Sequence, residues 1–264
     1  MKNILSAFLT FSNSIVIFIK KIIWAIDIRT NVKIIVTKDI TLRFFKKGEI
    51  TKLLYTYTHL VRFNRGFEHS SLEILCQYLK PGSHFIDIGA NIGLYSLVAS
   101  KIVGNSGKIY SFEPNIQTFS ILKRNANLNG CLNIIAVNYA VGNLNRDTFL
   151  SVNEKDAFAY VKEQPDDHTT EVKMIMSDQF VVENNITKID FIKVDIEGAE
   201  LLFFEGAKKT LRNFKPKIIF EAYEPFCKRF NYSIYDILSL LDSLGYKVTQ
   251  FESFQWIAIC KDNG

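Results

Sequence analysis

No two of the four cysteines (Cys76, Cys131, Cys227, Cys260) stand close together, and no histidine pattern accompanies them. That spacing excludes a CxxC zinc or redox motif and a disulfide framework; it reads as small core residues in a reducing compartment. Arginine-rich runs and nucleic-acid module signatures are also absent, although the net charge is +5. Polynucleotide binding is therefore not expected. A signal peptide needs a small-residue cleavage site after its apolar core, and residues 1–30 offer no convincing one. What is present is a globular composition, 48% hydrophobic and 22% charged over 264 residues. That length suits one large α/β domain with an appendage, or two small domains.

Residues Asn3 to Ile19 carry no charge, and Lys20-Lys21 then interrupt the apolar pattern. Thr10, Ser12, Asn13 and Ser14 lie within a run about as long as the shortest membrane span. Three readings stay open: a helix packed on the domain or on a partner chain, a membrane-surface helix, or a true span. Val32 to Thr37 and Ile40 to Phe45, separated by Lys38-Asp39, have the form of a β-hairpin. Residues 1–66 thus form an accessory helix-and-hairpin segment, and 67–264 the main domain. A helix is predicted from about Phe67 to Leu79, with Ser70 or Ser71 as N-cap and Glu73 completing a capping box.

The stretch Pro81 to Ser96 organises the rest. It predicts a short buried strand from His84 to Ile88, a glycine-containing loop, and a helix opening near Gly93. Asp87 closes the strand, Gly89 stands where the backbone must turn sharply, and Asn91 offers a short polar side chain. Open α/β sheets hold nucleotide-like cofactors in this way, beyond the carboxyl end of the first strand. A second strand, Lys108 to Phe112, ends in Glu113-Pro114-Asn115, with the acid placed to accept both ribose hydroxyls of an adenosine. A third strand runs from Ile134 to Tyr139, where Asn138 suits either an adenine edge or a turn. Residues Asn143 to Thr170, with Phe149, Val152, Phe158 and Tyr160 spaced among polar residues, predict a hairpin beside the substrate mouth. The fourth strand begins at Ile189 and delivers Lys193, Asp195 and Glu197, before a helix from Ala199 to Leu211. Pro216 to Glu224 is a fifth strand bearing Glu221, and a final pair covers Lys247 to Phe251 and Trp256 to Cys260. Acids therefore track the carboxyl ends of successive strands: Asp87, Glu113, Asp195 and Glu221.

Phe-Ile-Asp-Ile-Gly-Ala-Asn-Ile-Gly-Leu-Tyr-Ser (85–96), Phe-Glu-Pro-Asn (112–115) and Ile-Lys-Val-Asp-Ile-Glu-Gly-Ala-Glu (192–200) resemble the FkbM family of S-adenosylmethionine-dependent methyltransferases. Phe67-Glu68, Glu205-Gly206-Ala207 and Pro216 to Glu221 fit its pattern too, so the likeness covers about Phe67 to Gly264. The resemblance implies a Rossmann-like, seven-stranded class I methyltransferase sheet with its last strand antiparallel. It also implies that Gly89, Ala90, Asn91 and Gly93 line the methionine portion of the cofactor, with Asp87 near its amino group. Glu113 would hold the ribose, and Asn115 and Asn138, with Pro114 in the same wall, would lie near adenine. Asp195 would stand beside the sulfonium. The acceptor implied is a hydroxyl on a sugar, glycan or other small metabolite.

An alcohol is a poor nucleophile, so methyl transfer to oxygen calls for a group that takes its proton. Asp195, Glu197 and Glu221 are the candidates, with Lys193 as an orienting or basic partner. A divalent metal held by those acids is not expected, because two of them have simpler partners in Lys193 or in helix caps. A nicotinamide dehydrogenase would share the sheet and the ribose acid, but Gly89-Ala-Asn-Ile-Gly93 lacks the three-glycine pyrophosphate turn. The non-enzymatic alternative is a cofactor-binding or membrane-tethered assembly protein that keeps the fold without turnover. The expected setting is cytoplasmic; membrane contact through residues 1–30 and homo-oligomerisation stay open.

Overall fold

The computed structural model of the chain describes residues 32–37, 40–44, 69–151, 159–162 and 164–261. The expected N-terminal helix and the Phe67-Glu68 pair lie outside the described residues, as do Val152 and Phe158 of the insertion. Two accessory strands, β1 (Val32–Thr37) and β2 (Ile40–Phe44), pair antiparallel as the hairpin reading requires.

In chain order there follow α1 (His69–Tyr78), β3 (His84–Ile88), α2 (Leu94–Val103), β4 (Lys108–Phe112), α3 (Ile116–Leu128) and β5 (Ile134–Val137). Next come β6 (Ala140–Gly142), β7 (Arg146–Ser151), β8 (Val161–Lys162), β9 (Thr169–Met176), α4 (Ser177–Glu183) and β10 (Phe191–Val194). The chain continues through α5 (Glu200–Gly206), α6 (Lys208–Phe214), β11 (Lys217–Glu221), α7 (Glu224–Cys227) and a 3-10 turn at Lys228–Phe230. It ends with α8 (Ile234–Ser243), β12 (Tyr246–Glu252) and β13 (Gln255–Cys260).

Seven strands form one sheet in the order β12-β13-β11-β10-β3-β4-β5, parallel except for β13, which runs antiparallel to both neighbours. The central strands are apolar on both faces because helices cover both sides. On one face Ile86, Ile88, Phe112, Ile192, Val194 and Phe220 pack with Phe180, Phe203, Phe204, Leu211 and Ile237 from α4, α5, α6 and α8. On the other, Phe85, Ile109, Phe191 and Ile219 meet Leu72 and Leu75 of α1 and Tyr95, Ala99 and Val103 of α2. The hairpin's Ile40 is buried with Ile92, Leu97, Ile121 and Cys131, against the flank formed by α2 and α3. Cys131, Cys227 and Cys260 are buried, whereas Cys76 is exposed. Among the described residues no helix is long and apolar enough to cross a membrane.

Four sequence expectations need correction. Helix α1 already includes His69, so Ser70 and Ser71 lie within its first turn; Ser71 is buried and donates to Gln255 Oε1 instead of capping. The third strand stops at Val137, where Asn138 Nδ2 turns to the carbonyls of Glu113 and Pro114. The predicted helix Ala199 to Leu211 is two helices. Its break at Ala207 follows Gly206, where an added Cβ would sit 1.9 Å from Gly142 O. Asp178 then caps the second piece, accepting the N–H groups of Lys209 and Thr210 at 3.0 and 2.7 Å. Finally, the insertion is more than a hairpin: β6-β9-β7-β8 make a four-stranded sheet around Ala140, Leu150, Val161 and Met174.

Candidate active site

Strand order reverses between β3 and β10, and the crevice outside the carboxyl ends of two such strands is where open α/β sheets bind ligands. Register places Lys193 directly beside Asp87. Gly89, at φ +78°, turns the chain immediately past β3; a Cβ there would lie 1.9 Å from Asp195 O. The glycine loop and the end of β10 are therefore in backbone contact, which only glycine permits. The loop's other side is bonded to β4, with the N–H groups of Gly89 and Ala90 both donating to Phe112 O. Gly93 opens α2 at φ +95°, and Asn125 Nδ2 of α3 donates to Ile92 O.

Asp87 is fully buried. Its Oδ2 accepts the Ser96 hydroxyl at 2.5 Å, which in turn meets Ser111 Oγ at 2.7 Å. Its Oδ1 is buried without a hydrogen-bond partner. Burial pushes this carboxyl above its ordinary range, opposed by the Lys193 charge and the Ser96 bond. A buried acceptor with nothing to accept is costly by itself and suits an incoming ammonium or N–H donor.

Glu113 forms the next wall and is not a surface acid: it is 7% exposed. Oε2 accepts Asn91 N–H at 3.0 Å and Oε1 accepts Asn115 N–H at 2.9 Å, so one carboxylate joins the loops after β3 and β4. Asn91 takes a left-handed φ of 50° to present that N–H. Asn115 is the N-cap of α3, its Oδ1 accepting from Gln117 and Thr118. Asn138 Nδ2 bonds the carbonyls on either side of the Glu113–Pro114 peptide at 2.8 Å each. Both asparagines thus shape the wall through backbone contacts.

Beyond β10 the chain carries the acids. Lys193, buried at 7% exposure, bonds Asp195 Oδ2 at 3.1 Å and lies 4.8 Å from the centre of the Tyr95 ring. Glu197 is half-buried at φ 58°, strained for a residue with a Cβ. Burial, followed by the carboxylates of Asp195, Glu221 and Glu200, pushes its carboxyl up to about 9, with Arg229 opposing. The bend is held from behind by Glu200, whose Oε1 accepts the N–H groups of Ile196 and Gly198 at 3.1 and 3.2 Å. Tyr232 completes the clamp: its hydroxyl donates to Gly198 O at 2.6 Å and lies 3.3 Å from Glu200 Oε2. Glu200, 2% exposed, is pushed up to about 7 by burial, against its backbone hydrogen bonds.

On the outer side, Arg229 Nη1 donates to Glu197 O at 3.3 Å. Its guanidinium carbon lies 4.4 Å from the Tyr160 ring centre and 4.0 Å from that of Phe226. Tyr160 precedes β8, so the insertion touches Arg229 of the segment after β11. Tyr223 packs edge-on against Phe226 and Phe254. Glu221, across the ladder from Gln255, accepts its Nε2 at 2.8 Å. Among the described residues no group of three or more His, Cys, Asp or Glu side chains is arranged to hold a metal ion.

The Methyltransferase FkbM domain family matches residues 87–248, from the acid of β3 to β12. The chain belongs to the FkbM methyltransferase family. S-adenosylmethionine is the cofactor of that family, and the site fits it through the unpartnered Asp87 Oδ1 and the Glu113 wall. A hexuronic acid methyltransferase, AglP of Haloferax volcanii, is 26% identical over 153 residues, 58% of this chain and 61% of the relative. Methyltransferase sdnD of Sordaria araneosa is 27% identical over 203 residues, 64% of this chain and 76% of the relative. The crystal structure of an FkbM methyltransferase from Methylobacillus flagellatus shares the fold at a TM-score of 0.50 and 18% identity, covering 68% of this chain and 44% of that one.

The structure brings Asp87, Gly89, Ala90, Asn91, Glu113, Lys193 and Asp195 together at the carboxyl ends of β3, β4 and β10, with Glu197 near enough to Asp195 and to Glu221 to interact with both. Glu200, which closes the 192–200 motif, and Arg229 were not among the expected site residues. Glu200 was legible in principle, as an acid following a Gly-Ala turn. Arg229 was not, since its partners Tyr160 and Glu197 are remote in sequence.

Proposed function

We propose that this chain methylates a hydroxyl oxygen of a sugar, glycan or other small metabolite. The observation that carries the reading is Asp195, whose backbone abuts Gly89 while its Oδ2 is held by Lys193. The likeness to a hexuronic acid methyltransferase supports the same reading.

Bound S-adenosylmethionine supplies an activated methyl carbon, so the protein's work is alignment, water exclusion and removal of one proton. Asp87 and Glu113 would hold its methionine and ribose ends. Asp195 takes the hydroxyl proton on Oδ1, the oxygen not bonded to Lys193, as the carbon–oxygen bond forms. Lys193, 3.1 Å from Asp195 Oδ2, fixes the carboxylate's rotamer. Glu197 holds its own proton at neutral pH, so it serves as a hydrogen-bond donor to the acceptor and not as the base. Glu221 contributes negative charge that keeps Glu197 protonated.

The test is transfer of a labelled methyl group from S-adenosylmethionine into fractionated cell extract, with mass analysis of the product. Asp195→Asn should lower the rate about 10²–10⁴-fold while still binding S-adenosylhomocysteine. Full activity of that variant removes Asp195 from proton transfer, and failure of the wild type to bind S-adenosylhomocysteine by calorimetry defeats the whole reading.

A further inference from the structure

We propose that Arg229 reads the acceptor, and that the acceptor carries a carboxylate which its guanidinium binds. The proposal rests on the methyl-transfer reading of the same site and adds the chemical class of the molecule that enters it.

Position comes first. Arg229 is bonded to the carbonyl of Glu197, two residues beyond Asp195, so a group on its outward side lies at the edge of the reacting centre. Its orientation is set by two aromatic rings, Phe226 after β11 and Tyr160 from the insertion. Those contacts hold the flat guanidinium without consuming its N–H groups. Five N–H donors are available on an arginine, and among the described residues one bond is made, to Glu197 O.

Charge points the same way. Lys193, the other cation of the site, is buried and bonded to Asp195. Arg229 is exposed, and so is its neighbour Lys228. Glu197 offers Arg229 its backbone carbonyl, and among the described residues no carboxylate lies within 4.0 Å of the guanidinium nitrogens as an ion pair. The guanidinium charge is therefore open to a ligand. A planar fork of N–H groups matches two coplanar oxygens, which favours a carboxylate over a neutral hydroxyl. Tyr160 belongs to a segment grafted on the scaffold, where recognition elements concentrate.

The purified full chain, saturated with S-adenosylhomocysteine, would be titrated with glucuronate, glucose and glucose 6-phosphate, with binding followed by ligand-observed NMR. Glucuronate should bind about tenfold or more tightly than glucose, a difference worth one charge-assisted hydrogen-bonded pair. Arg229→Met should erase that preference, and Arg229→Lys should retain only part of it, because an ammonium cannot make the paired contact. S-adenosylhomocysteine affinity of each variant reports that the domain is folded. Equal binding of glucuronate and glucose by the wild type overturns the proposal, as does a preference that survives in Arg229→Met. Tighter binding of the phosphate sugar than of glucuronate overturns the carboxylate assignment. Loss of S-adenosylhomocysteine binding by the wild type instead sinks the methyl-transfer reading beneath it.

Discussion

Replacing Glu197 by Gln should make the protein more stable, and increasingly so as the pH rises. The native carboxyl titrates at about 9 against an ordinary value of 4.5, so the folded chain holds a proton there that the unfolded chain gives up. A group raised on folding contributes stability that is full below its unfolded pKa and is lost as pH climbs through the folded one. Each pH unit in that window is worth about 1.4 kcal/mol per proton, so the full linkage by pH 8 is about 5 kcal/mol. Because Glu197 is only half-buried, water at the mouth screens the neighbouring carboxylates, and about 2 kcal/mol is the working expectation. Glutamine keeps the shape and never ionises. Thermal melts of wild type and variant should therefore coincide near pH 5 and separate by roughly 4–8 °C at pH 8. A difference that stays flat across pH 5–9, or that favours the wild type at high pH, refutes the reasoning: Glu197 would then be ionised in the fold, and the base role would return to it.

Other perturbations act on the frame of the site. Gly89→Ala introduces a Cβ 1.9 Å from Asp195 O at φ +78°, which forces the ends of β3 and β10 apart. A stability loss of roughly 3 kcal/mol or more in urea unfolding is expected, with S-adenosylhomocysteine binding abolished. Glu200→Ala strips two inward N–H groups of their acceptor and should cost about 2–4 kcal/mol. Glu200→Gln keeps that acceptor, so its unfolding midpoint should stay near wild type; equal losses in both variants would show that the clamp works through charge. Glu113→Gln must turn one amide NH₂ against the N–H of Asn91 or Asn115. Calorimetry should find S-adenosylhomocysteine binding weakened by about tenfold or more, consistent with roughly 1.5–3 kcal/mol for a bond to a charged group.

Most of the sheet was legible because parallel strands buried on both faces leave continuous apolar runs. Phe85-Ile86-Asp87-Ile88 and Phe191-Ile192-Lys193-Val194 each show one charge inside such a run, and both charges proved to be neighbours across the β3–β10 ladder. The antiparallel last strand was expected from the hairpin-like spacing of Lys247 to Phe251 and Trp256 to Cys260 as well as from the family resemblance. What escaped notice depends on contacts between distant segments. Nothing local announces that Gly206 must clear Gly142 O, or that Asp178 supplies the cap for α6. The insertion read as a hairpin because its pairing of β6 with β9 is parallel and spans more than thirty residues. In the site, strand-end acids were visible, but their division of labour was not. Glu113 looks the same on paper whether it is solvated or bonded to two loop amides, and Glu197 looks like any surface acid until Asp195, Glu221 and Glu200 are brought around it.

The bend from Asp195 to Gly198 joins the two halves of the chemistry. Its first residue packs its carbonyl on the glycine loop, so cofactor-side geometry depends on it. Its middle residue, Glu197, sits in a left-handed conformation that costs about 1–2 kcal/mol. That strain persists because the amides on either side are both held by Glu200 and the Gly198 carbonyl by Tyr232. Arg229 holds the same bend from outside through Glu197 O, and through Tyr160 it ties in the insertion. Packing of the acceptor side and packing of the cofactor side therefore share one short, strained segment. Glu200→Ala, or loss of the Tyr232 hydroxyl, acts on this segment from its buried side and should disturb both at once; a substitution at Arg229 should disturb the acceptor side alone.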